Sequence, residues 1–369
     1  MIKDKCFNRE WFESFRKDEK NRRINTTVLE KMIRAFHLLE MIQIYGLDFI
    51  FKGGTSLVLL LEEDNRFSID VDIICATSRE KLGSIFDEMI RESRFEFFTF
   101  DERRSQKPGV PKYHYYFHYS SALTSRKDYI MLDILHDRDV YPEVIPKQIT
   151  SRWIESRDLI EVKTPTIDAI TGDKLTAFAP DTTGIPYYKD ETSFSMEIIK
   201  QLFDLDRLFN SISSMEVVAE SFKAHVMREI SYRKHKSEFK YKNVDTESVL
   251  RDTIKTCLII TRRERNEEDE DKDRYRDLLS GIKRFGTGFL MSGRYRLDEA
   301  VSSSAKVAYL AAKILAEDMT PIDYYDGQDI SNLEIKGGFR FFNRLRRLPD
   351  KSVFYYWYKA IELIDESLI

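Results

Sequence analysis

The stretch Phe51 to Ile74, FKGGTSLVLLLEEDNRFSIDVDII, constrains this chain more than any other. It reads as a strand ending in a glycine pair, a short helix, a polar loop, and a second strand carrying two aspartates. Asp70 and Asp72 are two residues apart, and strand side chains with that period share a face. The apolar Ile69, Val71, Ile73 and Ile74 favour a strand that buries its other face. Carboxylates side by side in a half-buried place repel one another, so a cation belongs between them, and hard oxygen ligands suit Mg²⁺. Upstream, Gly53 and Gly54 let the backbone approach a ligand closely, and Thr55 or Ser56 is placed to cap the helix that follows. Amide N–H groups at a helix start favour a phosphate. Either motif alone reads as a turn or a solvated strand end. In this order and spacing they point to metal-assisted chemistry on a nucleoside triphosphate.

With 369 residues the chain has room for two domains, each with its own core. The net charge of −4 carries no global nucleic-acid signature, so RNA contact would need a local patch. Cys6, Cys75 and Cys257 are few, odd in number and far apart, as in a reducing cytoplasm. No stretch is long and apolar enough for a signal peptide or a membrane span. The run Arg262 to Asp277, RRERNEEDEDKDRYRD, reads as a solvated loop.

Taken in order, residues 8 to 22 read as a charged amphipathic helix. A second helix runs from a cap at Thr26 or Thr27 to about Tyr45. Phe49 to Phe51 is the first strand, Ser78 caps a helix to about Ser93, and Phe95 to Phe100 is another strand. KYHYYFHYS, from Lys112, alternates as a strand with Tyr113, Tyr115, Phe117 and Tyr119 on one face and His114, Tyr116 and His118 on the other. Residues four apart on a strand lie about 13 Å apart, so His114 and His118 do not share a metal and read as surface or partly packed. Asp128 to Leu135 is the next strand, and its Asp133 lies within an apolar run. A buried unpaired carboxylate is costly, so Asp133 meets a metal, marks the strand's exposed end, or is a structural aspartate held by hydrogen bonds.

Thr164-Pro165 reads as the opening of a helix to about Ala179. Lys174 is centred on its apolar side, where the ammonium must snorkel to water or reach an anion. The next helix is Phe194 to Phe209, on which periodicity places Asp206 nearer the buried side than Asp204. Helix-like patterns continue from Met215 to Ser367. Near the end, KGGFRFFNRLRRLPDK, from Lys336, interleaves basic and aromatic residues. That composition suits RNA contact, and equally an amphipathic helix with a cationic outer face.

KGGTSL followed by RFSIDVDI resembles the nucleotidyltransferase superfold, specifically the AbiEii/AbiGii family of toxin nucleotidyltransferases, over roughly residues 30 to 210. The resemblance implies an α/β (α+β) fold. A mixed sheet flanked by helices would occupy residues 1–163, and a helical C-terminal domain, 164–369, would contribute the later motifs. It implies Mg²⁺ on Asp70 and Asp72 with Asp133 as a third acid, and phosphates held by Gly53, Gly54, Thr55, Ser56 and Lys174. It matches KQLFDLDRL to a final motif with two aspartates, of which Gln201 replaces the first and Asp204 keeps the second. Asp204 would orient Lys174 or polarise the incoming hydroxyl, with an ion pair to Arg207 as the alternative. The family's basic residue after the lysine motif has no evident counterpart, Lys189 being a loose substitute. The implied protein is the cytoplasmic toxin of a toxin–antitoxin or abortive-infection system. It would move a nucleotide from an NTP to a hydroxyl of RNA, tRNA in particular, and be neutralised by a cognate antitoxin. An enzyme modifying protein or a small molecule, and an inactive nucleotide-binding module, are the alternatives.

Overall fold

The computed structural model describes residues 1–22, 24–61, 66–105, 110–234, 241–291 and 293–364. Two compact units emerge, Met1–Thr166 with Phe289–Gly293, and Ile167–Gly288 with Arg294–Ile369.

The first unit is built on a five-stranded mixed sheet of order β1-β2-β5-β4-β3. Its strands are β1 (Ile50–Lys52), β2 (Val71–Ile74), β3 (Phe97–Phe100), β4 (Lys112–Ser120) and β5 (Lys127–Leu135). β2 and β5 run parallel; the other neighbours are antiparallel. Alternation decides the two faces. Tyr115, Phe117 and Tyr119 of β4 and Ile130, Leu132 and Ile134 of β5 point into the core. Helices α2 (Thr26–Ile44) and α4 (Arg79–Glu92) supply core residues such as Phe36 and Phe86. The Phe86 ring meets Tyr115 and Phe117 edge-on at 5.0 and 5.1 Å. A small hairpin of β6 (Val144–Gln148) and β7 (Glu161–Pro165) completes the unit. The returning segment 289–293 gives Phe67 N–H an acceptor, the Phe289 carbonyl, at 2.9 Å.

One buried ion pair fixes α2 to the turn between β4 and β5. Arg34 bonds Glu30 (3.2 and 3.3 Å) and lies over the Tyr119 ring at 4.0 Å. Glu30 also accepts from Ser121 Oγ (2.7 Å) and Ala122 N–H (2.8 Å), both in that turn. A buried carboxylate persists only with such partners.

Several expected boundaries shift. Residues 8 to 22 form a short helix, Arg9–Ser14, followed by 3₁₀ turns rather than one long helix. The cap of α2 is Asn25, which accepts from Thr27 and Val28 N–H. β2 begins at Val71, so Asp70 precedes the strand. Thr164 and Pro165 end β7 instead of opening a helix; the helix α6 is Ile167–Ala177. The acidic run is largely helical, since Asp269–Gly288 is one helix whose first turn carries Asp269, Glu270 and Asp271. Negative charge at that end complements the helix dipole. Residues 106–109 of the stretch Arg103 to Lys112, RRSQKPGVPK, which reads as a basic Pro/Gly loop, 235–236 of the helix expected from Met215, and 365–367 lie outside the described residues.

In the second unit, α6 packs against α7 (Ser195–Phe209) and α8 (Met215–Lys234). Asp168 accepts from the N–H groups of Ser213 (2.9 Å) and Ser214 (3.0 Å), just ahead of α8. The cationic-aromatic segment forms a 3₁₀ run, Gly337–Arg347, that buries Phe339, Phe342 and Leu345. Phe342 packs on Trp357 at 4.7 Å between centroids, so these rings are core and the arginines form an outer face. Among the described residues no helix is long and apolar enough to cross a membrane.

Gly172 lets α6 and α8 touch backbone to backbone. A Cβ there would lie 2.5 Å from Phe222 N and 2.6 Å from Val218 O. Neither atom can yield without moving the helix. Gly172→Ala is therefore expected to destabilise the chain by about 1–3 kcal/mol through overpacking, measured by urea unfolding.

Candidate active site

In the first unit the register sets three strands side by side. Asp72 on β2 faces Lys52 on β1 and Asp133 on β5, and Asp133 in turn faces His114 on β4. Matched residues of neighbouring strands point to one side, so the carboxylates of Asp72 and Asp133 share the face opposite the core. Burial, then the charges of Asp133 and Asp70, push the Asp72 carboxyl up to about 7. Asp70, Asp72 and Asp133 thus lie in one electrostatic field.

The helix α3 (Gly53–Leu60) starts on the glycine pair, with Lys52 as its cap residue. Thr55 and Ser56 do not cap it as expected; both lie within it. Thr55 Oγ1 donates to the Asp70 carbonyl (2.5 Å) and lies in hydrogen-bond contact with Ser68 Oγ (2.7 Å), tying the helix start to the approach of β2. Ser56 Oγ donates to the Gly53 carbonyl at 2.9 Å. Gly53 has φ +77°, and any Cβ on it would collide with the Asp72 carboxylate. A Cβ on Gly54 would meet the Arg66 guanidinium and lie 3.1 Å from Ser68 Oγ. The glycines are demanded by side chains that close over them.

Two features of this face were not anticipated. His114 is buried rather than superficial, and its Nδ1 lies 2.6 Å from Asp133 Oδ1. Arg104 donates to the Tyr116 hydroxyl at 3.1 Å. Its pKa is lowered by burial but raised, on balance, by that bond and by the charge of Asp133. Neither lies in the glycine-pair or aspartate motif. The signal for His114 is the β4–β5 register, which becomes legible only if the intervening turn is placed correctly.

The donor chemistry here suits a hard divalent cation. Among the described residues no group of three His, Cys, Asp or Glu is disposed to hold a metal by itself. Mg²⁺, however, is commonly held by one or two carboxylates together with substrate phosphates and water. Asp72, with Asp70 and Asp133 close by, fits that pattern.

In the second unit, Lys174 and Asp204 form a buried pair. Lys174 Nζ donates to Asp204 Oδ2 at 2.8 Å and to Gln201 Oε1 at 3.0 Å. The two side chains are 8% and 1% exposed, so the ammonium does not snorkel to water. Asp204 thus meets Lys174 directly, and Gln201 adds a neutral acceptor. Asp206 instead pairs with Lys306 at 2.8 Å. Lys189, on the short strand Tyr188–Lys189, lies over the Phe194 ring at 4.6 Å. A pocket of about 410 Å³ in the first unit is lined by Gln43, Asp48 and Lys163 among others, and by none of the motif residues.

The family model of the AbiEii nucleotidyl transferase toxins, a type IV toxin–antitoxin system, matches residues 37–302. The chain belongs to the AbiEii family. It is a nucleotidyltransferase of the toxin class. Among solved structures, JHP933 from Helicobacter pylori is 16% identical. That match covers 80% of this chain and 94% of the other, with a TM-score of 0.41. A candidate nucleotidyltransferase from H. pylori is also 16% identical, covering 78% and 94% with a TM-score of 0.39. No curated protein matches.

Two outcomes follow from the geometry. The folded chain keeps a proton on Asp72 that the unfolded chain releases between pH 3.8 and about 7. Without metal, that carboxyl's contribution to stability therefore falls as pH rises through this window. A divalent cation displaces the same proton, so the rise in melting temperature on adding Mg²⁺ should grow across the window. Asp72→Asn should flatten both trends in a thermal-shift series. In the second unit, Asp204→Ala leaves the buried Lys174 ammonium bonded to Gln201 but without its carboxylate. It should cost about 3–5 kcal/mol, read from urea unfolding, with Asp204→Asn costing less.

Proposed function

We propose that this AbiEii-family enzyme transfers a nucleotide from an NTP to a hydroxyl of RNA, with Mg²⁺ as cofactor and tRNA the leading acceptor. The observation that carries the reading is the placement of Asp72 beside Asp133, with the Asp72 carboxylate packed so close on Gly53 that no Cβ fits there. Asp70 and Asp72, with Asp133, would hold the ion, which neutralises charge on the triphosphate. The Gly53-Gly54 turn would offer α3 amide groups to phosphate oxygens, with Thr55 and Ser56 bracing that turn. In the same reading Lys174 contacts the phosphates and Asp204 sets its direction. The acceptor hydroxyl attacks the α-phosphorus, a new P–O bond forms, and the bond to the departing pyrophosphate breaks. The hydroxyl proton passes to a carboxylate, Asp133 in the first instance, whose His114 partner restricts its orientation. Most of the rate gain would come from placement and charge stabilisation. The enzyme would act in the cytoplasm and be held in check by a cognate antitoxin.

Each NTP, labelled at the α-phosphate, is incubated with the enzyme, Mg²⁺ and either total cellular RNA or total protein. Label on RNA is the expected result. Label on protein or a small molecule would replace the acceptor assigned here, and binding without turnover would reduce the chain to a nucleotide-binding module. Asp70→Ala should abolish transfer with an unchanged circular-dichroism spectrum; transfer by that variant would overturn the metal assignment.

A further inference from the structure

The sheet face that bears the carboxylates continues into a row of rings, two of them exposed and one half-buried. The paired positions form three successive rows on one side of the sheet. The first is Asp72, Asp133 and His114; the second Met131, Tyr116 and Thr99; the third Tyr129, His118 and Phe97. Successive rows are separated by two residues along each strand, so the third lies about 13 Å from the first. Phe97 and Tyr129 are each 45% exposed, unusual for large rings on a strand. Phe97 stacks on His118 at 4.3 Å with 15° between planes, and Tyr116 meets Tyr129 edge-on at 4.9 Å.

Cations border these rings. Arg104, exposed, bonds the Tyr116 hydroxyl and reaches Met131 Sδ at 3.2 Å. Lys31 Nζ lies 5.3 Å from the centroid of Tyr129 while pairing with Asp128. Open aromatic faces beside positive charge fit one chemistry well: unpaired bases stacked on rings with their phosphates near the cations. The core-facing side of the same strands shows the contrast, because there Tyr115, Phe117 and Tyr119 are all buried.

We propose that Phe97, His118 and Tyr129 form a stacking platform for the single-stranded end of an RNA acceptor, in line with the carboxylates at which its terminal hydroxyl reacts. The inference rests on the RNA-acceptor reading above and adds the surface that receives the acceptor. Phosphate contact by Arg104 makes the binding salt-sensitive.

The test is fluorescence anisotropy of the full chain with a fluorescein-labelled, mixed-sequence single-stranded oligoribonucleotide bearing a free 3′ hydroxyl. Phe97→Ala and Tyr129→Ala should each weaken binding about tenfold, and Tyr129→Phe, which keeps the ring, should bind like the parent. Melting temperatures within a few degrees of the parent would show that the alanine variants are folded, and the phenylalanine rescue separates stacking from fold. Asp70→Ala should retain RNA affinity while losing transfer. RNA affinity and the KM for RNA both unchanged in the alanine variants overturn the platform and leave the transfer activity standing. Wild-type binding sensitive to the rings, with no nucleotide transferred to RNA, overturns the function proposed above and leaves the platform. Ring variants that lose affinity for the cognate antitoxin but not for RNA also overturn it, and assign the face to a protein partner.

Discussion

Asp72 and Asp133 occupy matching positions on adjacent parallel strands, and Asp70 adds its charge from just ahead of the first. Three acids so placed repel one another, and nothing in the hydrophobic core relieves that repulsion. The residues around them are braced by bonds to their neighbours. α3 is tethered through Thr55 to Ser68 and to the Asp70 carbonyl, Asp133 is bonded to His114, and Lys52 stands across from Asp72. Such an arrangement lowers its energy by admitting positive charge, which is how a protein prepares a site for a cation and the phosphates that travel with it.

The second unit handles charge in the opposite way. Lys174 is buried but its ammonium is matched by the Asp204 carboxylate and the Gln201 amide oxygen. A lysine held by one acid and one neutral acceptor still has a third donor to direct. Replacement of an acid by Gln201 keeps an acceptor near the ammonium while lowering the negative charge around it, so the pair is closer to neutral than a two-carboxylate version would be.

Much of this was legible beforehand. The glycine pair and alternating aspartates pointed to the candidate site, and the alternation of KYHYYFHYS and DYIMLDIL gave the two central strands and their core faces. The less legible part was whatever depends on pairing. Asn25 caps α2 in preference to the threonines because its carboxamide reaches two amides at once. Thr164-Pro165 carries a helix-start signature, yet pairing of β7 with β6 keeps both residues extended. The acidic run looked like a loop because its polar face is wide, while Tyr275, Leu278, Ile282 and Phe285 supply a narrow buried stripe that makes it a helix. His114 looked superficial because a strand pattern gives a residue's face but not the neighbour across from it. Whether Lys174 and Asp204 serve the phosphates is carried by the family resemblance alone, since their spacing shows only that they can meet.

The turn between β4 and β5 has a consequence reaching beyond its own contacts. Glu30 and Arg34 on α2 hold that turn through Ser121 and Ala122. A slip of one residue between the strands would send Asp133 inward and bring Ile134 to the outer face, since strand side chains alternate. The buried ion pair therefore works as an alignment pin: damage to it, on the far side of the sheet, would take Asp133 out of its row with Asp72 and His114 by misindexing a ladder while most of the secondary structure endured.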